Sequence, residues 1–274
     1  KHKKVMLDLN ASKFLGKEEL KEIAPSIFTM IPSSGVTDKY THIPTEKVID
    51  DMELLGWKPV DAKQVNARTK GTSGFQKHMI VFRNDDVVIN GEDGDTVFPQ
   101  ILMTNSHDGK NCFQFTAGLF RMICENGLVI ADTEFEDIKM RHMGYTFEDL
   151  QGLIKDMVEK LPLTVDSMNK MKAVELEEEQ MFNLAKDLLN IRVDGTENTY
   201  PDEAIGEVLN IQRKKDEGNG LWEVFNRIQE NIIEGNFEYI TKGGKKRQAR
   251  VIKNFKQDMD VNKKMFSKAL ELVA

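Results

Sequence analysis

The residues whose types are suited to chemistry gather in the segment Asn105-Ser106-His107-Asp108-Gly109, shortly before Cys112. An imidazole oriented by a carboxylate can act as a general base, and a nearby thiol can act as the nucleophile. The same five residue types also favour turns, because Asn, Asp, Ser and Gly adopt turn geometry readily. The sequence therefore predicts a turn here, and catalysis by His107 and Asp108 remains the alternative.

A metal site is compatible with the ligand types of His107, Cys112, Cys124 and His142. Their spacing matches neither CxxC nor HxxxH, and both cysteines fall in apolar stretches, which favours small buried hydrophobic residues over zinc ligands. The motifs GxxxxGK[ST], GxGxxG, GxSxG and HExxH do not occur in the chain. We therefore expect no metal, no cofactor and no catalytic residue set.

The strongest chemical signal is a basic segment near the C-terminal end of the sequence. It contains seven cations and no acid: Lys242, Lys245, Lys246, Arg247, Arg250, Lys253 and Lys256. Because the formal net charge is −7, the rest of the chain carries −14. Such a density of cations can neutralise backbone phosphates, and Phe237, Tyr239 and Phe255 could stack on unpaired bases. A solvated hairpin tip is the alternative.

The first part of the chain, residues 1–145, reads as an α+β domain with an antiparallel sheet and packed helices. Short helices are expected at Lys17–Ile23 and after an N-cap at Thr45, where Val48, Ile49 and Met52 share a face. Strands are expected at Trp57–Val60, His78–Arg83, Val87–Ile89, Val97–Thr104 and Cys112–Phe115, with a further helix over Thr116–Gly127 packed across the sheet.

The second part, residues 146–274, reads as mainly helical. A capping box at Thr146–Asp149 begins a helix that Pro162 is expected to stop. The region Val165–Leu189 predicts one or two helices with Phe182 inward. Further helices are expected at Leu221–Ile233, with Trp222, Phe225, Ile228 and Ile232 buried, and near Asp260–Leu272, and a basic hairpin or loop lies between these two helices, near 240–256.

Length and composition exclude several classes of protein. The chain has 274 residues, 40% of them hydrophobic, which is enough for a packed core without disulfides. No apolar run approaches the ~20 residues that span a bilayer, and the first residues do not form a signal peptide. Two cysteines make no disulfide framework. We therefore expect a cytoplasmic location and no membrane partner.

The stretch Asn105–Val129 resembles the signature of a phage- and plasmid-borne family catalogued as domain of unknown function 932. The block Leu221-Trp-Glu-Val-Phe-Asn226, followed by Glu230, resembles a later block of the same family. The resemblance covers the chain from about Tyr40 onward. It implies a mobile-element protein of the host cell cytoplasm, and it implies no activity and no catalytic residues.

The order of the predicted elements in the first part is also similar to the core of the single-strand-annealing recombinases, the lambda Red beta, RecT and Erf proteins. Grooves in those proteins hold the phosphate backbone with Lys and Arg and leave the bases exposed. The resemblance implies that Lys70, Lys77, Arg83, Lys110 and Arg121 contribute to such a groove, beside the cations of the basic segment.

Three functions follow as alternatives. The first is a DNA-metabolism protein of a phage or mobile element that binds single-stranded DNA without catalysis, as a homo-oligomeric ring or filament. The second is an interaction factor that binds or inhibits a host defence protein, which the acidic remainder of the chain favours. The third is an enzyme that uses His107 and Asp108. The first is the principal prediction.

Overall fold

The computed structural model describes residues 13–36, 42–65, 73–87, 89–90, 96–108, 113–121, 138–140 and 146–273. The chain divides into two compact units, Lys1–Pro162 and Leu163–Ala274, and each is described by itself below. Within the described ranges, no helix combines the length and the apolar character needed to cross a membrane.

Two short helices precede the sheet of the first unit. Helix α1 spans Lys17–Ile23, as expected, and a 3-10 turn follows it at Pro25–Phe28. Helix α2 spans Thr45–Leu54 and buries Val48, Ile49 and Met52, which confirms the predicted face. The N-cap prediction was wrong, because Pro44 occupies that position and the Thr45 hydroxyl bonds to His78 instead.

Within its described residues, the first unit contains one six-stranded antiparallel sheet. Its strands are β1 Lys58–Gln64, β2 His78–Arg83, β3 Ile89–Asn90, β4 Thr96–Asn105, β5 Phe113–Arg121 and β6 Ile138–Met140. The spatial order is β1-β2-β4-β5-β6, and β3 pairs with β4. Strand β2 is buried over His78–Phe82 because both of its faces are covered. The α+β class is confirmed, and β2 has the predicted bounds.

The helix expected over Thr116–Gly127 is not formed at its first six residues. Thr116–Arg121 belong to β5 and pair with β4, Thr116 opposite Leu102 and Arg121 opposite Val97. Residues 122–127 lie outside the described part of the chain. The prediction rested on helical spacing in a short window, and a long neighbouring strand overrides so short a local pattern.

Helix α3 spans Phe147–Lys172 and crosses the boundary between the units. Its start is capped as expected, since the Asp149 backbone N–H donates to Thr146 Oγ1 over 3.1 Å. The prediction that Pro162 stops the helix was wrong. Proline removes one backbone donor and its ring crowds a carbonyl of the preceding turn, yet the helix continues beyond Pro162 and buries Met168 and Met171.

Within the described residues of the second unit, the end of α3 is followed by four further helices and a small hairpin. They are α4 Glu178–Val193, α5 Glu203–Leu209, α6 Leu221–Glu234, β7 Glu238–Ile240, β8 Lys246–Gln248 and α7 Phe255–Leu270, with a 3-10 turn at Lys214–Asp216. The predicted core of α6 is confirmed, because Trp222, Phe225, Ile228 and Ile232 are each 0% exposed. Helix α5 was not predicted. Phe182 is 43% exposed, so its predicted inward position was wrong.

Asn231 of α6 joins several segments of the second unit. Its side-chain amide donates to the carbonyls of Val208, over 2.9 Å, and Asn210, over 2.8 Å, at the end of α5. Its side-chain oxygen accepts from Gln212 and Asn236. The last carbonyls of a helix receive no hydrogen bond from within the helix. The buried Asn231 amide donates to such carbonyls instead, so that both sides are satisfied.

Candidate functional site

The first part of the basic segment lies in a β-hairpin of the second unit, and the rest leads from β8 to the start of α7. Strands β7 and β8 pair antiparallel with Tyr239 opposite Arg247 and Ile240 opposite Lys246. Thr241 closes the turn, since its N–H donates to the Lys245 carbonyl over 2.9 Å, and Gly244 takes the left-handed conformation at φ +74°. The structure thus selects the hairpin from the two predicted alternatives.

Backbone hydrogen bonds hold both ends of the hairpin. The amide and carbonyl of Ile240 pair with those of Thr199 over 2.7 and 2.9 Å. On the other side, the Ile252 N–H donates to the Ile233 carbonyl over 2.9 Å. The cations between Ile240 and Ile252 are therefore presented on a backbone that is anchored at both ends.

Six of the seven cations of the segment have described side chains, and these six divide into two groups; the Lys256 side chain lies outside the described part of the structure. Lys242 pairs with Glu197, and Lys246 lies 3.9 Å from both Glu203 and Glu238. A second group is exposed and has no carboxylate within 4.0 Å among the described residues; we call it the cationic group, and it consists of Lys245, Arg247, Arg250 and Lys253. The hairpin register explains part of this division, because directly opposite residues share a face and successive residues alternate. Lys246 shares a face with Glu238, whereas Arg247 shares the other face with Tyr239.

Two neighbouring residues complete this surface. Tyr239 is half-buried, and Arg192 of α4 donates from Nη2 to the Arg250 carbonyl over 3.1 Å, which fixes the backbone there. Burial lowers the pKa of Arg192, although it stays a cation at neutral pH. Phe237 is 2% exposed and so cannot stack on a base, contrary to expectation. Phe255 begins α7, and its side chain is not among those described.

Of the five predicted groove residues, the structure describes Lys77, Arg83 and Arg121, and it does not bring Lys77 together with the other two. Lys77 precedes β2 and Arg83 ends it, so the two lie about 20 Å apart along the strand. Arg121 ends β5 at the same end of the strands as Arg83 ends β2. Lys70 and Lys110 lie outside the described residues.

Arg83 already has partners within the first unit. Its Nε donates to Asp85 Oδ1 over 2.7 Å, and its guanidinium lies 5.0 Å from the centre of the Phe14 ring. Lys58, which is opposite Arg83 in the sheet, also lies over this ring, at 5.3 Å. The ion pair with Asp85 and the contact with the Phe14 ring both stabilise the Arg83 cation, and a phosphate that binds Arg83 would have to displace them.

The Asn105–Asp108 motif ends β4 and is buried. Asn105, Ser106 and His107 are each 0% exposed, and the Ser106 hydroxyl donates to Asp108 Oδ1 over 2.8 Å. The His107 amide and carbonyl bond to Phe75 and Ser33, over 3.2 and 2.8 Å. Gly109 and Cys112 are not described. A side chain without solvent exposure cannot meet a substrate, so the structure favours a structural role for the motif.

The motif forms part of a histidine cluster that sequence reasoning missed. The His107 ring centre lies 4.7 Å from that of His42 and 5.1 Å from that of His78. Burial lowers the pKa of His78 to about 4, so this ring is neutral at pH 7. These three of the five histidines are far apart in sequence, and no local pattern signals their contact.

Among the described residues, no group of three or more His, Cys, Asp or Glu side chains could hold a metal ion, and this includes the histidine cluster. Cys112, Cys124 and His142 are outside the described ranges, so the zinc alternative involving them stays a prediction.

The second sequence block also has structural contacts. The Asn226 amide donates to the Trp222 carbonyl of its own helix over 2.6 Å. Glu230 Oε1 pairs with Arg213 over 2.8 Å, and both side chains are largely buried, at 13% and 17% exposed. The Glu230–Arg213 pair therefore joins α6 to the segment that precedes it, whereas the Asn226 bond stays within α6.

The fold and the candidate site define an α+β protein whose first unit is an antiparallel sheet and whose second unit is helical and carries a basic hairpin. The chain belongs to the family described as Domain of unknown function (DUF932), whose model matches residues 32–266. It is similar to two proteins of Escherichia coli strain K12. The UPF0380 protein YafZ is 28% identical and the UPF0380 protein YfjQ is 27% identical, each over 94% of this chain and 92% of the relative. No solved structure matches the chain.

Proposed function

We propose that this protein binds single-stranded nucleic acid through the cationic group, without catalysis, as a protein of DNA metabolism. The observation that carries the proposal is that the cations of the basic segment divide into a group paired with acids and the cationic group. Lys242 and Lys246 are neutralised by neighbouring acids, whereas Lys245, Arg247, Arg250 and Lys253 have no acidic partner among the described residues. Unneutralised cations on an acidic protein concentrate positive potential locally.

Single-stranded nucleic acid fits this surface better than a duplex. Tyr239 lies on the same hairpin face as Arg247, so one face offers both a ring for base stacking and a guanidinium for phosphate. Backbone contacts of this kind carry no sequence information. We therefore expect binding without strong sequence preference. The mobile-element context that the Asn105–Val129 motif implies stays a prediction.

The proposal is tested by the salt dependence of binding to a fluorescein-labelled oligothymidylate, measured by anisotropy. Each neutralised phosphate of a single strand contributes about −0.7 to the slope of log K against log salt, so four contacts give a slope of about −3. Replacing the whole cationic group by glutamate should bring the slope close to zero. A retained slope in this variant would overturn the proposal.

A matched control separates local contacts from net charge. Lys155, Lys170, Lys186 and Lys214 are exposed lysines outside the hairpin, and their replacement by glutamate changes the net charge by the same amount. We expect this control to keep most of the wild-type affinity and slope. Equal loss in both variants would show that only overall charge matters.

The predicted homo-oligomer is tested alongside. Light scattering during size-exclusion chromatography, with and without the oligonucleotide, gives the mass in solution. A ring or filament predicts a mass several times that of the 31.3 kDa chain, and a monomer under both conditions would contradict it.

A further inference from the structure

A groove in the second unit lies beside the start of α4, away from the basic hairpin in sequence. Its volume is about 440 Å³, and it is lined by Leu176, Glu177, Glu178, Met181, Phe182, Leu209, Asn219 and Arg227. The Leu176 N–H donates to the Asn219 carbonyl over 2.8 Å, which places these two lining residues side by side. Ligand sites commonly have volumes of about 300–1,000 Å³.

The groove has an apolar part. Phe182 is 43% exposed although it is a large aromatic residue on a helix whose other apolar residues, such as Leu184 and Leu188, are buried. Met181 precedes it, and Leu209 ends α5 on the same groove. Methionine and phenylalanine together form an adaptable apolar surface of the kind that binding sites use.

The groove also has a buried hydrogen-bond donor. Arg227 is 7% exposed, and its Nη2 donates to the Gly218 carbonyl over 2.9 Å. Its Nε is buried and has no acceptor among the described residues. Burial lowers the pKa of Arg227, and the charges of Asp216 and Glu223 oppose that shift. The Gly218 carbonyl therefore holds the Arg227 guanidinium in place among the residues that line the groove.

The rim of the groove is acidic. Glu177 and Glu178 line the groove, and Glu175 and Glu179 lie beside them in the sequence; all four are exposed, and none pairs with a cation of the described chain within 4.0 Å. The rim therefore repels phosphates and attracts cations. Nucleic acid is an unsuitable occupant, and a basic segment of a protein is a suitable one.

We propose that the groove docks a segment of another protein in which an apolar side chain is flanked by Lys or Arg. The apolar side chain contacts Phe182 and Met181, and the flanking cations lie against the glutamates of the rim. This inference is independent of the proposed nucleic-acid binding, because it uses none of the hairpin residues.

The probe is the synthetic peptide acetyl-Lys-Lys-Leu-Phe-Lys-Lys-amide, titrated into the full chain with ¹³C-labelled methionine methyl groups. The Met181 signal is identified from the Met181→Leu variant. We expect the peptide to shift this signal in a saturable manner. The analogue with glutamate in place of every lysine is the charge control, and it should leave the signal unchanged.

Two variants complete the test. Phe182→Ser removes the exposed ring and should weaken peptide binding by about tenfold or more, as expected for a lost aromatic contact. Leu54→Ser is the matched control, because Leu54 is also an exposed apolar residue, at 76%, but lies in the first unit. It should bind the peptide as the wild type does, and a Phe182→Ser variant that binds equally well would overturn the proposal.

Two further results would also overturn it. One is an equal shift of the Met181 signal by the glutamate analogue, which would remove the role of the acidic rim. The other is a Met181 signal that shifts on raising the protein concentration alone, in parallel with an increase in mass, since the occupant would then be a second copy of this chain.

Discussion

The Nε2 of His78 lies 2.7 Å from the Oγ1 of Thr45, and this contact joins the first residue of β2 to the first residue of α2. Thr45 Oγ1 also accepts from the Asn105 amide over 2.9 Å. The Gln76 carbonyl lies 3.1 Å from Nδ1 and can only accept, so the neutral ring carries its proton on Nδ1, and Nε2 accepts from the Thr45 hydroxyl. A backbone carbonyl thus fixes the tautomer of a buried histidine.

Replacing Thr45 with valine tests this contact. The variant keeps the volume of the side chain but leaves His78 Nε2 and the Asn105 amide without this partner. We expect a loss of about 1–3 kcal/mol in the free energy of unfolding of the first unit. Trp57 and Trp222 are the two tryptophans, one in each unit, so Trp57 fluorescence in a Trp222→Phe background reports the first unit alone. Thr45→Ser retains the hydroxyl and should lose less.

The first unit should lose stability in acid because of His78. Burial lowers the pKa of His78 in the folded state from 6.5 to about 4. Between these pH values the unfolded chain binds more protons, so the free energy of unfolding falls as the pH drops, by up to about 3 kcal/mol. Urea unfolding followed by Trp57 fluorescence from pH 7 to pH 4 measures this. A flat profile would show that His78 is protonated without cost.

The second unit should respond to pH in the opposite direction. Burial, together with the charge of Glu234, raises the pKa of Asp258 from 3.8 to about 7, against the hydrogen bond from Asn262. The folded state therefore binds more protons between these pH values, and the free energy of unfolding falls as the pH rises through them, by up to about 4 kcal/mol. Trp222 fluorescence in a Trp57→Phe background measures it.

Asp258→Asn is the control for this prediction. The Asn262 amide donates to Asp258 Oδ1 over 2.8 Å, and the substituted amide oxygen can accept the same hydrogen bond. We expect the variant to flatten the pH profile of the second unit between about pH 4 and 7. A profile that remains as steep as that of the wild type would assign the dependence to another group.

Gly235 should not tolerate a side chain. It ends α6 at φ +78°, and a Cβ there would lie 2.7 Å from the Arg250 backbone and 2.8 Å from the Ala249 backbone. Gly235→Ala should therefore cost at least about 2 kcal/mol in the second unit, from backbone strain and steric overlap. Gly206→Ala is the matched control in α5, where a Cβ meets no atom within 4 Å. It should stabilise by about 0.5–1 kcal/mol, and equal effects would contradict the geometry.

Much of the fold follows from local sequence patterns. The bounds of β2 were predictable because turn residues flank a run of β-branched and aromatic residues, and the face of α6 because Trp222, Phe225, Ile228 and Ile232 repeat with helical spacing. The errors at Thr116–Arg121 and Pro162 have a common cause. In both places, pairing or packing with distant residues outweighed a short local signal.

The candidate sites differ in how far the sequence reveals them. The hairpin cations are contiguous, so their concentration is visible in the sequence, but the pairing of Lys242 and Lys246 with acids depends on segments that lie far away along the chain. The contact of His78 with Thr45 joins residues on separate elements and has no local signature. The exposure of Phe182 likewise depends on which helices pack beside α4.

The hydrogen bonds of Asn231 determine how α5 opens. Helix α5 has seven residues, Glu203–Leu209, too few to persist in water unaided. Because the Asn231 amide holds the carbonyls of Val208 and Asn210, detachment of α5 would strand that amide inside the second unit. We therefore expect the backbone amide protons of α5 to exchange with deuterium as slowly as those of α6. A helix of two turns would then share the protection of its longer neighbour.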